Sequence, residues 1–194
     1  MKKNSKKWMA GDNDVRMNQQ RLSNRQLRGA PVFYQHHPQK RVAKVKDVLA
    51  DQKRGVILGL LLSSEGLWQW DKFVVLQDVK LVRGKGVFLS NSKILKKLGV
   101  RRQQLLAKPW LGVPVQNEAG KDFGTLADFI WEYPSGRILG IAVSGGLWQD
   151  LQQGFRYLSW QTIAPPPVEQ GAAGQQFLIQ GEAVLQEYLP EKVW

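Results

Sequence analysis

Apolar residues recur at every second position through short segments broken by Gly, Pro, Asp and Lys, the period of half-buried β-strands rather than of helices. Pro31-Val32-Phe33-Tyr34 starts the first such segment, with Pro where a missing N–H costs least. Residues 40–49 alternate Lys with Val and Ala, 51–55 form a polar turn, and Val56 to Leu62 is a strongly apolar strand. A turn over Ser63 to Gly66 leads to strands at 68–76 and 79–82, and Arg83-Gly84-Lys85-Gly86 turns the chain into Val87-Phe88-Leu89.

The pattern then occurs again. Gly29-Ala30-Pro31-Val32 is matched by Gly112-Val113-Pro114-Val115 at an offset of 83. Asp47-Val48-Leu49 returns as Asp128-Phe129-Ile130, and Gly55-Val56-Ile57-Leu58-Gly59 as Gly136-Arg137-Ile138-Leu139-Gly140, both at an offset of 81. Leu67-Trp68-Gln69 corresponds to Leu147-Trp148-Gln149 at an offset of 80. Such constant spacing predicts two equivalent units, with Ile57 and Ile138 at matching core positions.

Between the units, Ser92 to Leu98 predicts a short basic helix capped by Ser92, with Ile94, Leu95 and Leu98 on one face and Gly99 ending it. Residues 1–21 carry one large apolar side chain, Trp8, and are expected to form a basic, disordered tail, because ordering them would cost roughly 1 to 2 kcal/mol per residue. The expected organisation is this tail, a first barrel with its short helix at 22–98, a linker at 99–102 and a second barrel at 103–194. The fold class is all-β: two small β-barrels in tandem, joined by a short helical linker.

The scheme of Gly-x-Pro-Val, a polar turn, an acidic residue at Asp47 and Asp128 and then a Gly-bounded Ile-Leu-Gly strand resembles the PRC-barrel family. That fold is found in the cytoplasmic part of the photosynthetic reaction centre H subunit and, as a weaker likeness, in the second domain of the ribosome maturation factor RimM. The resemblance covers both units, and its motifs are structural. It implies a non-enzymatic adaptor or assembly factor that binds a protein or protein complex, acidic or membrane-associated, at an anionic membrane surface or photosynthetic complex. The alternative is an RNA-binding or ribosome-maturation-associated factor, and homodimerisation stays open. The family positions map to Gly55, Gly59, Gly136 and Gly140 and to Asp47 and Asp128, where turns and close strand packing are the expected roles.

Composition adds direction. The 194 residues carry a net charge of +12, and it is unevenly spread: residues 1–100 balance at +14 and residues 101–194 at −2. An anionic partner for the first half follows. The candidate contacts are Lys93, Lys96, Lys97, Arg101 and Arg102; the candidate protein-contact aromatics are Trp68 and its repeat Trp148. The longest apolar run, Gly55 to Leu62, is far shorter than the roughly 20 residues of a membrane helix. With no signal-peptide pattern at the N-terminus, the expected location is cytoplasmic or peripheral on the inner or photosynthetic membrane.

Catalytic chemistry finds little support. There is no Cys, and the only two His, His36 and His37, are adjacent in a loop, so thiolate chemistry and a separated His pair are excluded. Ser144 lacks the Gly-x-Ser-x-Gly spacing and has no His in its half; no phosphate loop occurs; Glu118 and Asp122 flank a polar turn. No catalytic residue, metal ligand or cofactor site is expected.

Overall fold

The computed structural model describes residues 20–64, 71–82, 84–103, 105–164, 176–180 and 186–188. The first half builds β2 (Pro31–Tyr34), β3 (His37–Asp51), β4 (Val56–Ser63), β5 (Asp71–Val75), β6 (Val79–Val82), β7 (Gly86–Leu89) and β8 (Lys96–Lys97). The second builds β9 (Pro114–Asn117), β10 (Asp122–Tyr133), β11 (Ile138–Ser144), α3 (Leu147–Gln153), β12 (Phe155–Ser159), β13 (Ile163–Ala164), β14 (Phe177–Ile179) and β15 (Gln186–Tyr188). Ahead of each half stands a short leading segment, β1 (Gln20–Ser23) with α1 (Asn24–Leu27), and α2 (Val100–Gln103).

Two sheets result, in the orders β6-β7-β2-β3-β4-β5-β8 and β13-β14-β9-β10-β11-β12-β15. Six successive strands correspond one to one, including a parallel pair, β2 with β7 and β9 with β14, inside otherwise antiparallel sheets. Even the irregularities match: β3 shifts register at Val45/Asp47 and Leu49/Ala50, β10 at Leu126/Asp128 and Ile130/Trp131. Bulges bend a long strand, and these bend both at the same two points. Among the described residues the hydrogen-bonded paths are open, with outer strands β6 and β8, and β13 and β15, unpaired to each other. The expected barrels are thus, among the described residues, two mostly antiparallel sheets whose hydrogen-bonded paths do not close, with one buried side-chain cluster between them.

The helix expected over 92–98 is replaced by a single 3-10 turn at Ser92–Ile94 and the two-residue strand β8. Asn91, not Ser92, caps the turn by accepting the Lys93 N–H at 2.8 Å, and pairing of Lys96 with Phe73 on β5 outcompetes a helix too short to be stable alone. Helix appears only after Gly99, as α2.

The halves exchange their leading segments. Strand β1 pairs with β10 of the second sheet, Leu22 opposite Trp131, whereas the segment after α2 crosses to β3 of the first, where Ala107 N–H donates to Val48 C=O at 3.0 Å and Ala50 N–H to Leu105 C=O at 2.6 Å. Gln20 and Arg21, polar enough to pass for tail, thus lie in a strand. Between the exchanged segments the two Gly-x-Ile turns meet head to tail: Ile57 N–H donates to Gly136 C=O at 2.7 Å, and Ile138 N–H donates to Gly55 C=O at 2.8 Å. Val56 and Arg137 form an antiparallel bridge at the centre. These turn contacts are reciprocal at an offset of 81, so a pseudo-twofold axis passes between Val56 and Arg137. One buried cluster, from Leu22 and Ile57 to Ile138 and Phe177, runs across it.

Gly136 is required here twice over, by its positive φ of 74° and because an added Cβ would stand 2.4 Å from Ile57 O. Gly136→Ala is expected to cost about 2 kcal/mol or more, from left-handed strain and the displaced Ile57 bond, and a thermal melt checks it.

Candidate interaction surface

The most exposed large apolar side chains among the described residues sit together on α3: Leu147 at 73%, Trp148 at 79% and Leu151 at 71% exposure. Residues i, i+1 and i+4 of a helix lie within about 100° of one another, so the three share one face. The helix is locked to the sheet from its other side. Ser144 Oγ donates to the Asp150 carboxylate, Gly145 N–H donates to Asp150 Oδ1 at 3.0 Å, and Gly146 with φ of 106° lets the chain turn sharply off β11. Gly154 N–H closes the far end on Asp150 C=O at 3.0 Å. Asp150 anchors α3 to the end of β11, and Leu147, Trp148 and Leu151 are left to solvent. A patch of this kind on a folded domain marks a surface that another molecule covers.

A strand over these residues was expected from the first unit; α3 stands there instead, because Leu147-Trp148-Gln149-Asp150-Leu151-Gln152-Gln153 is free of β-branched residues and bounded by glycines. Trp68, the other aromatic predicted to meet a partner, lies outside the described residues. Of the other described tryptophans, Trp110 and Trp131 are buried and Trp160 packs on the same core, while Trp194 lies outside the described residues.

The basic residues predicted to act together occupy different faces. Lys96 stands opposite Phe73 and Lys97 opposite Lys72 across the β5–β8 pair, and neighbours along a strand project to opposite sides. Arg102 lies over the Phe73 ring at 4.4 Å, on the Lys96 side. Lys93 is exposed in the 3-10 turn, and Arg101 belongs to α2. The Arg102 contact is structural as much as electrostatic, since Arg25 covers Phe155 at 5.1 Å at the pseudo-equivalent place.

Asp47 and Asp128 are the buried ionisable pair of the molecule's two halves. Asp128 accepts N–H bonds from Asn24 and Arg25, both at 3.0 Å, and from Phe129 at 2.8 Å; Asp47 accepts from Lys108 and Val48, both at 2.9 Å. Each carboxylate pins the leading segment of the opposite half. Burial pushes both carboxyls up from the ordinary 3.8, while the N–H bonds pull the other way. The two carboxyls therefore occupy equivalent places, each holding a leading segment against the other half's long strand. His36 and His37 are exposed at the tight turn from β2 to β3, and no group of three or more His, Asp or Glu suited to a metal occurs among the described residues.

Residues 103–175 match the family model described as PRC-barrel domain. Over that stretch the chain is similar to PRC-barrel domains. The stretch spans α3 and strands β9 to β13, so the exposed apolar face lies within it. No curated protein matches the chain. PRC-barrel domains are generally non-catalytic interaction modules, which agrees with a surface built for contact. No helix of the described residues is long and apolar enough to cross a membrane.

Proposed function

We propose that this chain is a non-enzymatic adaptor whose PRC-barrel domain docks a partner protein through the α3 face, and that residues 22–98 are a second, diverged PRC-barrel. The observation that carries the docking role is the triad Leu147, Trp148 and Leu151, each more than two thirds exposed on a helix that Asp150 fastens to its own sheet. A Trp offers large contact area at low entropic cost, and truncating one at the centre of an interface typically costs about 2 kcal/mol or more, roughly 30-fold in affinity. Strand order, matched bulges and the pseudo-twofold axis support the tandem reading. The balance of +14 over the first hundred residues favours an acidic partner, free or held at an anionic membrane, with Lys93, Lys96, Lys97, Arg101 and Arg102 contributing attraction from two faces instead of one patch.

The test places a photo-crosslinking amino acid at position 148 of the full chain in its native cells, with and without Leu147→Gln and Leu151→Gln. A discrete crosslinked protein that disappears in the Gln background, at unchanged melting temperature, is the expected result. Crosslinking that persists in that background, or the absence of any discrete product, removes α3 as the docking surface.

A further inference from the structure

The first sheet carries a feature that neither the adaptor reading nor the fold requires. On its outer face, register aligns one residue from each of four adjacent strands: Lys80 of β6 opposite Phe88 of β7, Phe88 opposite Phe33 of β2, and Phe33 opposite Arg41 of β3. Burial alternates around Lys80 and Phe88, Val79-Lys80-Leu81 reading buried, exposed, buried and Val87-Phe88-Leu89 buried, half-buried, buried, so this lysine and this ring point outward; Phe33 is half-buried next to buried Val32, and Arg41 is exposed. The two rings stack with centroids 5.4 Å apart. They border a groove of about 760 Å³ completed by Gln35, Pro38, Val82 and Lys85. Among the described residues its charged members are Lys80 and Lys85, and none of them is a carboxylate.

The second half shows what the fold needs at these positions. The equivalent row, by register, is Ala164, Leu178, Gln116 and Asp122. A sheet of the same order therefore forms with no ring and no cation there, and with an acid where the first sheet has Arg41. Cation, ring, ring, cation is an addition to the first sheet, on the half that holds the chain's positive charge.

From this juxtaposition we infer that the outer face of β6-β7-β2-β3 binds single-stranded nucleic acid, with Phe33 and Phe88 as the stacking platform for bases and Lys80, Lys85 and Arg41 as phosphate contacts. Half-exposed rings in an open sheet suit unpaired bases, because every base has a π-face and a duplex hides its own. An acidic protein would be served by the cations alone and gives no reason for two stacked rings. The site lies on the first sheet, whereas the adaptor's docking helix lies on the second, so the two proposals stand apart.

The test is binding of the full chain to a labelled single-stranded 12-mer of oligouridylate, with the matching duplex as competitor, at several salt concentrations. Phe33→Gln and Phe88→Leu install residues the second sheet already carries at these places, so both are expected to fold. Each is expected to weaken single-strand binding by on the order of 10-fold. Lys80→Ala with Lys85→Ala should flatten the slope of log affinity against log salt by about 1.4. Replacing Lys93, Lys96 and Lys97 with Gln should leave the effect of the Phe variants unchanged. Affinity insensitive to both Phe variants, duplex bound as tightly as the single strand, or no binding at low salt each overturns the proposal, the first two reducing it to diffuse attraction by a basic protein.

Discussion

Replacing Ile57 or Ile138 with Ala is expected to destabilise the whole chain by about 2 to 5 kcal/mol, seen as a fall of roughly 5 to 15 °C in a single cooperative melt. Both side chains are almost fully buried, at 2% and 3% exposure, and both belong to the one core cluster that crosses the pseudo-twofold axis. Their backbone N–H groups also make the reciprocal bonds to Gly136 and Gly55. A cavity at either isoleucine thus loosens the packing around the other, and the double variant should depart from additivity by 0.5 kcal/mol or more, roughly the coupling of residues in contact. Independent barrels predict the opposite. Two resolved transitions, with Ile57→Ala moving only one of them, would refute a shared core.

The second large effect belongs to Asp128. Its carboxylate satisfies the N–H groups of Asn24, Arg25 and Phe129, and Asp128→Ala leaves all three without an acceptor at a buried site. Stranded buried donors cost about 1 to 3 kcal/mol each, so a loss of about 3 to 5 kcal/mol is expected after partial relaxation. Released from its anchor, α1 should show faster amide exchange. The pH dependence has a definite sign. Burial raises the folded pKa above 3.8, against the bonds from Ser23, Arg25, Phe129 and Asn24, so the folded chain takes up this proton before the unfolded chain does. The stabilising contribution of that shift is complete below 3.8 and is lost as pH rises through the raised value. Urea titrations between about pH 4 and 7 should show the gap between wild type and Asp128→Ala narrowing as pH rises. A widening gap would mean that hydrogen bonds to the ionised form dominate.

How far the sequence reveals this molecule depends on the distance between the residues involved. The offset of 81 between Asp47 to Gly59 and Asp128 to Gly140 predicts matching strands, and the two halves do share strand order and bulges. Gly59 and Gly140 were expected to serve close packing, and a Cβ on either would stand 2.1 Å from a neighbouring carbonyl oxygen. The exchange of leading segments is not legible, because Gln20-Arg21-Leu22-Ser23 is too polar to announce a strand and its partner lies more than a hundred residues away. For α3, the sequence shows the exposed Trp148 but not its helix, since two tryptophans spaced by two in the first unit suggest a strand. The aromatic row escapes for a different reason: Phe33 and Phe88 each look like one more core residue until register aligns their strands. The available clue was three consecutive apolar residues in each of Val32-Phe33-Tyr34 and Val87-Phe88-Leu89, where a half-exposed strand should place a polar residue in the middle.

The pseudo-twofold axis also fixes ligand valency. Two identical barrels related by true symmetry would display every surface twice, and a ligand with repeated motifs would bridge them with avidity. Here the row of Lys80, Phe88, Phe33 and Arg41 is answered across the axis by Ala164, Leu178, Gln116 and Asp122. Joining the halves in one polypeptide keeps the mutual support of a dimer while each outer face is free to diverge, so each chain carries the aromatic row in single copy.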